Sequence, residues 1–491
     1  MATIALDARQ ISTDSIASAS KLRQIIGAIT VVCASVALAA LVLSFDLGAI
    51  AGFLAWIGLV AILIQPRLGL YLVWGVVILF ESYPQDPFMQ PGYYLNTSFQ
   101  SSLNANGLIL IPIEILLLVT AGAWLAHGLM RRNLSFRGGS LGRAVLVFAI
   151  MLVFGVLRGL AQGAVFNFAF WESRFLFYIV ICYMLASNLI RTRSQVQWLM
   201  AMVVIGGTLS GLDGAWRKFA LIDAGLLGTA QESWYSHESP VFWGLVIMLM
   251  CARLAFGGSI WQRVVLPFGV IVAGFTMLVS ERRAGYIAVM IAFLAFTLLL
   301  LAVKRKAFWI LAFPVILAGA VYLPVFWNNT SPIGQPARAV RSLKDPDPRD
   351  AASNLSRDLE AVNVRATIAS SPLTGIGFGR PFLQVVVIPD ISSFPFWNFE
   401  AHHGILWVWM KIGIVGFVAF FAVMCGGLSR AATLARKLKD PEARVFAVLA
   451  MSAICMSLAF CYVDLGLTET RIPILLGTTL GTLSVLDKIY T

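Results

Sequence analysis

Residues 264–303 read VVLPFGVIVAGFTMLV (264–279), SERRAG (280–285) and YIAVMIAFLAFTLLLLAV (286–303): two apolar runs joined by a turn that carries Glu281, Arg282 and Arg283. A helix needs about 20 apolar residues to cross the hydrocarbon core of a bilayer, and each run with its flanks has that length. Neither run alternates as a barrel strand does, so the stretch reads as two membrane helices and a tight turn. Similar runs recur near 25–43, 47–65, 68–83, 106–128, 143–160, 168–189, 196–214, 240–256, 307–326, 404–426, 444–463 and 470–487. The chain is therefore expected to be all-α, a polytopic transmembrane bundle of about 12–14 spans with a long outer loop between late spans.

Composition points the same way. Of 491 residues 59% are hydrophobic and only 12% charged, with a mean hydropathy of +0.84, which leaves too little polar surface for a soluble globule. The six cysteines (Cys33, Cys182, Cys251, Cys425, Cys455, Cys461) lie in or beside apolar runs and show no disulfide or zinc spacing, so they read as packing residues. The net charge of +12 does not call for nucleic acid, because most of the basic residues fall where anchoring to anionic membrane lipids requires them.

Their distribution gives an orientation. With the polar N-terminal tail inside, the inward loops carry Arg67; Arg131, Arg132, Arg137 and Arg143; Arg191 and Arg193; Arg253 and Arg263; Lys304, Arg305 and Lys306; and Arg430, Arg436, Lys437, Lys439 and Arg444. The outward segments 83–107 and 159–167 hold no Lys or Arg. Short cytoplasmic loops are the basic ones. Both termini are then expected to be cytoplasmic, with 1–24 a tail, 25–194 N-terminal spans, 195–326 central spans, 327–402 an outer loop and 403–491 the last spans.

In that topology SERRAG faces outward, the side where Arg is disfavoured, so Arg282 and Arg283 call for an anionic partner or for snorkelling to headgroups. Other charges gather on the same face: Arg158, Glu172 and Arg174, Asp213, Arg217 and Lys218, His237 and Glu238. Arg174 lies among Phe, Trp and Leu and must be paired or line a cavity. A ligand, a neighbouring helix, or an ion pair with Glu114 or Asp213 all meet that need. The outer loop contains DPDPRD (345–350), read as a Pro-broken solvated segment. A helix over 352–370 follows, with Ser353 or Asn354 as its N-cap, and then a turn at Gly375, Gly377 and Gly379 where backbone approaches something closely. The loop ends at His402 and His403, either of which could move a proton near neutral pH, with Lys411 further along the helix.

These residues resemble the O-antigen ligase and polysaccharide polymerase superfamily of bacterial inner-membrane glycosyltransferases, over about 195–430. The resemblance is carried by SERRAG, which places Arg283 at the family's arginine; by RATIASSPLTGIGFG, which begins at Arg365; and by AHHGILWVWMKIGIVG, which aligns His402 with the family's histidine. Two departures are His403 in place of an asparagine and Glu281 in the first motif. The resemblance implies a metal-independent, inverting transfer of a glycan from a polyprenyl-diphosphate donor to a hydroxyl on a lipid or glycan acceptor, on the periplasmic side and without a cofactor. It assigns His402 as base, and Arg174, Arg283, Arg282 and Arg365 to the donor diphosphate. A transporter or flippase of lipid-linked oligosaccharide is the rival reading, although no internal repeat is seen and the charges collect at one face. A scaffold subunit is the third.

Overall fold

The computed structural model describes residues 47–81, 110–132, 135–225, 235–389 and 396–491. The expected span at 25–43, the N-terminal tail, Cys33 and the whole of the expected outward segment 83–107 lie outside these. Among the described residues the structure is helical without strands, and eleven helices are long and apolar enough to cross a membrane. The all-α membrane bundle is therefore observed.

The chain divides into two units. The smaller holds α1 (Leu47–Ile64), the first part of α2 (Pro66–Leu79) and α3 (Pro112–Met130). Within it the His127 ring Nε2 lies 2.7 Å from the Leu63 carbonyl. Glu114 accepts the Ile111 backbone N–H at 2.8 Å, closing the start of α3.

The larger unit carries the functional residues. Its helices are α4 (Gly142–Ala161), α5 (Phe166–Leu189), α6 (Arg193–Trp216), α7 (Ser239–Phe256), α8 (Ile260–Ser280), α9 (Arg283–Val303) and α10 (Arg305–Val325). Two helices of the segment 327–402 follow, α11 (Gln335–Arg341) and α12 (Pro348–Ser370), and then α13 (Gly404–Lys437), α14 (Pro441–Val463) and α15 (Arg471–Tyr490). Helices α7, α14 and α15 form the centre, whereas α10 has almost no buried surface and lies at the edge. Local signals set the starts: Thr192 and Gln195 cap α6 reciprocally, and Asp440 caps α14 with Pro441 at its first position.

Small residues bring the helices together. In lipid there is little hydrophobic drive between helices, so close approach of backbones has to supply the contact. Gly477 and Gly481 of α15, a G-x-x-x-G pair, lie where an added Cβ would stand 2.6 and 2.5 Å from the Ile179 and Tyr183 carbonyls of α5.

A second such pair, Gly155 and Gly159 of α4, receives the glycine turn at 375–379 instead of a helix. A Cβ at Gly159 would stand 1.9 Å from the Phe378 carbonyl oxygen. Gly159→Ala is expected to destabilise the protein by about 1–3 kcal/mol through overpacking. Gly122→Ala, in α3 with nothing within 4 Å of the new methyl, should be neutral or slightly stabilising. Thermal unfolding of the two variants in detergent checks the contrast.

Helix α13 is broken in its course. Gly413 takes φ 69°, ψ −178° inside it, a backbone state that L side chains avoid. The backbone groups released by the break are taken up by the turn: Ile376 N–H donates to Met410 O at 2.8 Å and Gly377 N–H to Lys411 O at 3.1 Å, while the freed Ile414 N–H donates to Pro372 O at 3.0 Å. Phe378 N–H reaches Gly155 O of α4 at 3.1 Å. The close approach expected at Gly375–Gly379 is thus to the backbones of α4, α5 and α13, with Gly377 at φ 81°.

Candidate functional site

Helix α12 organises one end of the larger unit. Asp347 caps it, accepting Asp350 N–H at 2.9 Å, and Pro348 occupies its first position. The expected cap at Ser353 or Asn354 is thereby corrected, as is the reading of DPDPRD as a solvated loop. Proline at the first turn lacks only an N–H that the helix cannot use, so it starts the helix instead of breaking it. The same acidic residues bind arginines. Arg338 reaches Asp347 at 2.9 Å and Asp350 at 3.4 Å, Arg283 Nε reaches Asp350 at 3.3 Å, and Arg338 lies 3.9 Å from Glu281. Asp347 is held below the usual carboxylate range by the Asp350 N–H and the nearby arginines.

Further along α12, Arg357 and Glu360 meet the two loops at the ends of α13 and α14. Glu360 Oε2 accepts the His402 backbone N–H at 2.8 Å and lies 3.1 Å from His402 Nδ1. Arg357 lies 3.5 Å from Asp464, which His237 Nδ1 also contacts at 3.0 Å. Burial works against a charged His402, yet the hydrogen bond and charge of Glu360, with Asp464 behind, outweigh it and raise the imidazole above its ordinary value. Burial opposes ionisation of Asp464 too, but His237 and Arg357 keep it well below the carboxylate range.

His403 does a different job. Its Nδ1 accepts the Leu406 N–H at 3.3 Å, so it caps α13, and its ring packs edge-on against Tyr462 at 4.5 Å. Burial, with the charge of Arg365, depresses its basicity.

A buried clasp lies beneath the histidines. Lys411 Nζ is 2.7 Å from Glu172 Oε1, and both side chains are fully buried. Glu172 also accepts from Gly379 N–H at 2.6 Å and from Trp407 Nε1 at 3.1 Å, while Lys411 donates to the Arg380 carbonyl at 2.6 Å. Glu400 is pushed up to about 8 by burial and by the charge of Glu172. Two residues along α5 from Glu172, the Arg174 guanidinium lies 3.5 Å above the Trp171 ring, a cation–π contact. Trp171 in turn stacks on Phe396 at 5.5 Å, and Phe168 on Phe399 at 5.4 Å.

The expected residues therefore fall as follows. His402 and Arg283 lie at the same end of the bundle, both in contact with α12. Arg282 turns to the Tyr235 carbonyl at 2.6 Å. Arg174 is buried beside the clasp. Arg365 is exposed on α12, next to His403. Of the acidic partners considered for Arg174, Asp213 binds Arg217 at 2.7 Å and Glu114 closes its own helix. Lys411, read as a pointer to chemistry, is held inside the clasp.

Sequence reasoning missed Glu360, Arg357 and Asp464, whose partners lie far away along the chain. It also left unused Arg158, whose Nε donates to Gly375 O at 2.6 Å and whose Nη2 donates to Ser371 Oγ at 3.1 Å. Asp464 alone carried a signal, as an acidic residue at the outer end of an apolar run. An imidazole with a carboxylate on one nitrogen can take a proton on the other, and the surrounding arginines can bind an anion.

No curated protein matches the chain. Residues 268–421 match the family described as O-Antigen ligase, a stretch that runs from α8 through SERRAG, α12, the glycine turn and His402 into the broken helix.

Proposed function

We propose that the protein moves a glycan from a polyprenyl-diphosphate donor to a hydroxyl of a lipid or glycan acceptor, at the periplasmic face of a bacterial inner membrane. The observation that carries this reading is that Arg283 and His402 both pack against α12, Arg283 at Asp350 and His402 at Glu360. His402 takes the acceptor's proton while the hydroxyl oxygen attacks the anomeric carbon. The bond from that carbon to the phosphate oxygen breaks, and its electrons leave with the polyprenyl diphosphate. A single displacement inverts the carbon. The imidazolium then returns its proton to solvent.

The leaving group concentrates negative charge, and guanidinium groups bind phosphate oxygens through forked hydrogen bonds. A unit-charge pair at about 4 Å gains roughly 4 kcal/mol at an effective dielectric near 20. Arg283, with Arg174, Arg282 and Arg365, supplies that stabilisation in a reaction that needs no metal. In the same reading both chain ends are cytoplasmic and the loop 327–402 is periplasmic.

The test is transfer from a radiolabelled lipid-linked glycan by the protein reconstituted in lipid. Arg283→Ala leaves Asp350 bound by Arg338, so the variant should fold. Its kcat/KM for donor should fall about tenfold to a hundredfold, the worth of a charged hydrogen bond. Transfer at the unaltered rate overturns the assignment of Arg283. In a deletion strain, loss of surface glycan with lipid-linked polymer retained marks a ligase, and accumulation of single repeats marks a polymerase. An unchanged glycan profile rejects both.

A further inference from the structure

The resemblance that names His402 says nothing of what holds it. In the structure Glu360 does so twice, through the His402 backbone N–H at 2.8 Å and through Nδ1 at 3.1 Å, from a side chain only 5% exposed. The His402 ring remains 30% exposed, so its protein side is the Nδ1 edge. A neutral imidazole carries one proton, and the nitrogen that donates it fixes the other as the acceptor. With a carboxylate at Nδ1 the proton stays there, and Nε2 keeps its lone pair.

We propose that Glu360 is the positioning residue of the His402 base: one carboxylate fixes both the backbone and the ring at 402, so that Nε2 faces the acceptor hydroxyl. This rests on the reading of His402 as base. The charged groups facing His402 are Glu360 and Arg357 from α12 and Asp464 from the loop after α14, and His237 binds Asp464 from the far side. Arg357 and Asp464 neutralise one another, which leaves Glu360 as the charge in direct contact with the ring.

Glu360→Gln is nearly isosteric, and its carboxamide oxygen can still accept the His402 backbone N–H. The oxygen kept for the backbone N–H also lies 3.1 Å from Nδ1 but is now uncharged, and the NH2 group takes the second position, 3.3 Å from Nδ1, where it offers a proton instead of accepting one. The preference for the ring proton on Nδ1 is weakened, and with it the outward lone pair. In reconstituted protein kcat is expected to fall by about a hundredfold with donor KM unchanged, within the range general-base catalysis contributes. Glu360→Asp keeps the charge at shorter reach and should recover part of the rate.

A second readout does not depend on turnover. Diethyl pyrocarbonate attacks only neutral imidazole, and peptide mass spectrometry reports adduct formation at His402 by itself as pH is varied. The reaction midpoint should move to lower pH in Glu360→Gln. An unchanged kcat together with an unmoved midpoint overturns the proposal while leaving His402 as base. If His402→Ala retains transfer, the base reading fails, and with it the role proposed for Glu360, whatever the midpoint shows of the contact.

Discussion

Lys411→Met is expected to cost the folded protein about 3–5 kcal/mol, the loss that follows when one member of a buried ion pair is removed and the other stays charged. Lys411 and Glu172 have no exposed surface and lie 2.7 Å apart. Without the ammonium, Glu172 keeps only the Gly379 N–H and the Trp407 indole as donors, too little to hold a carboxylate out of water. Met fills nearly the volume of the lysine stem, so the effect isolates charge from packing. Lys411→Met combined with Glu172→Gln removes the orphaned charge and keeps an acceptor for Gly379. Most of the lost stability should return, because neutral replacement of a whole buried pair is often tolerated. Thermal unfolding of the two proteins in detergent decides. A single variant as stable as the parent rejects the buried clasp.

His402→Ala is expected to reduce transfer by about a hundredfold to ten-thousandfold, the usual worth of a general base. His403→Ala should leave kcat within a few-fold and lower stability by about 1 kcal/mol, because that ring caps α13. The two substitutions differ by one position and separate the proposed base from a structural neighbour. Equal losses in both would place the chemistry elsewhere.

The pH profile follows from the environment of His402. The base acts in its neutral form, and Glu360 raises its affinity for the proton. Activity is therefore full above the raised value and is lost as pH falls through it, at a pH above the ordinary histidine value of about 6.5. A limb centred below that value would show that Glu360 does not bear on the titrating group.

The spans were legible because each is a long apolar run, and bilayer thickness admits few other readings. The SERRAG arginines and His402 were legible as charges in places where charge is costly. Glu360 was not. In RDLEAVNVR (357–365) it is one charge among several on an amphipathic helix, and its partner lies 42 residues away. The clasp was half visible: Glu172 and Lys411 were each conspicuous in apolar surroundings, but their pairing spans more than two hundred positions and belongs to packing. The start of α12 was misread for a local reason. Two prolines among aspartates look like a breaker, and only the helix beyond Pro348 shows the second of them to be an initiator.

The turn at Gly375–Gly379 is stitched by main-chain bonds to α4 and α13 and occupies the break at Gly413. The loop between α10 and α13 is therefore no interchangeable cassette. A chimera that grafts another protein's loop between α10 and α13 would leave the Met410 and Lys411 carbonyls bare at the break, unless α4 and the first half of α13 were transplanted with it. During biosynthesis, likewise, α13 cannot reach its final shape until the segment before it has folded back to seat against it.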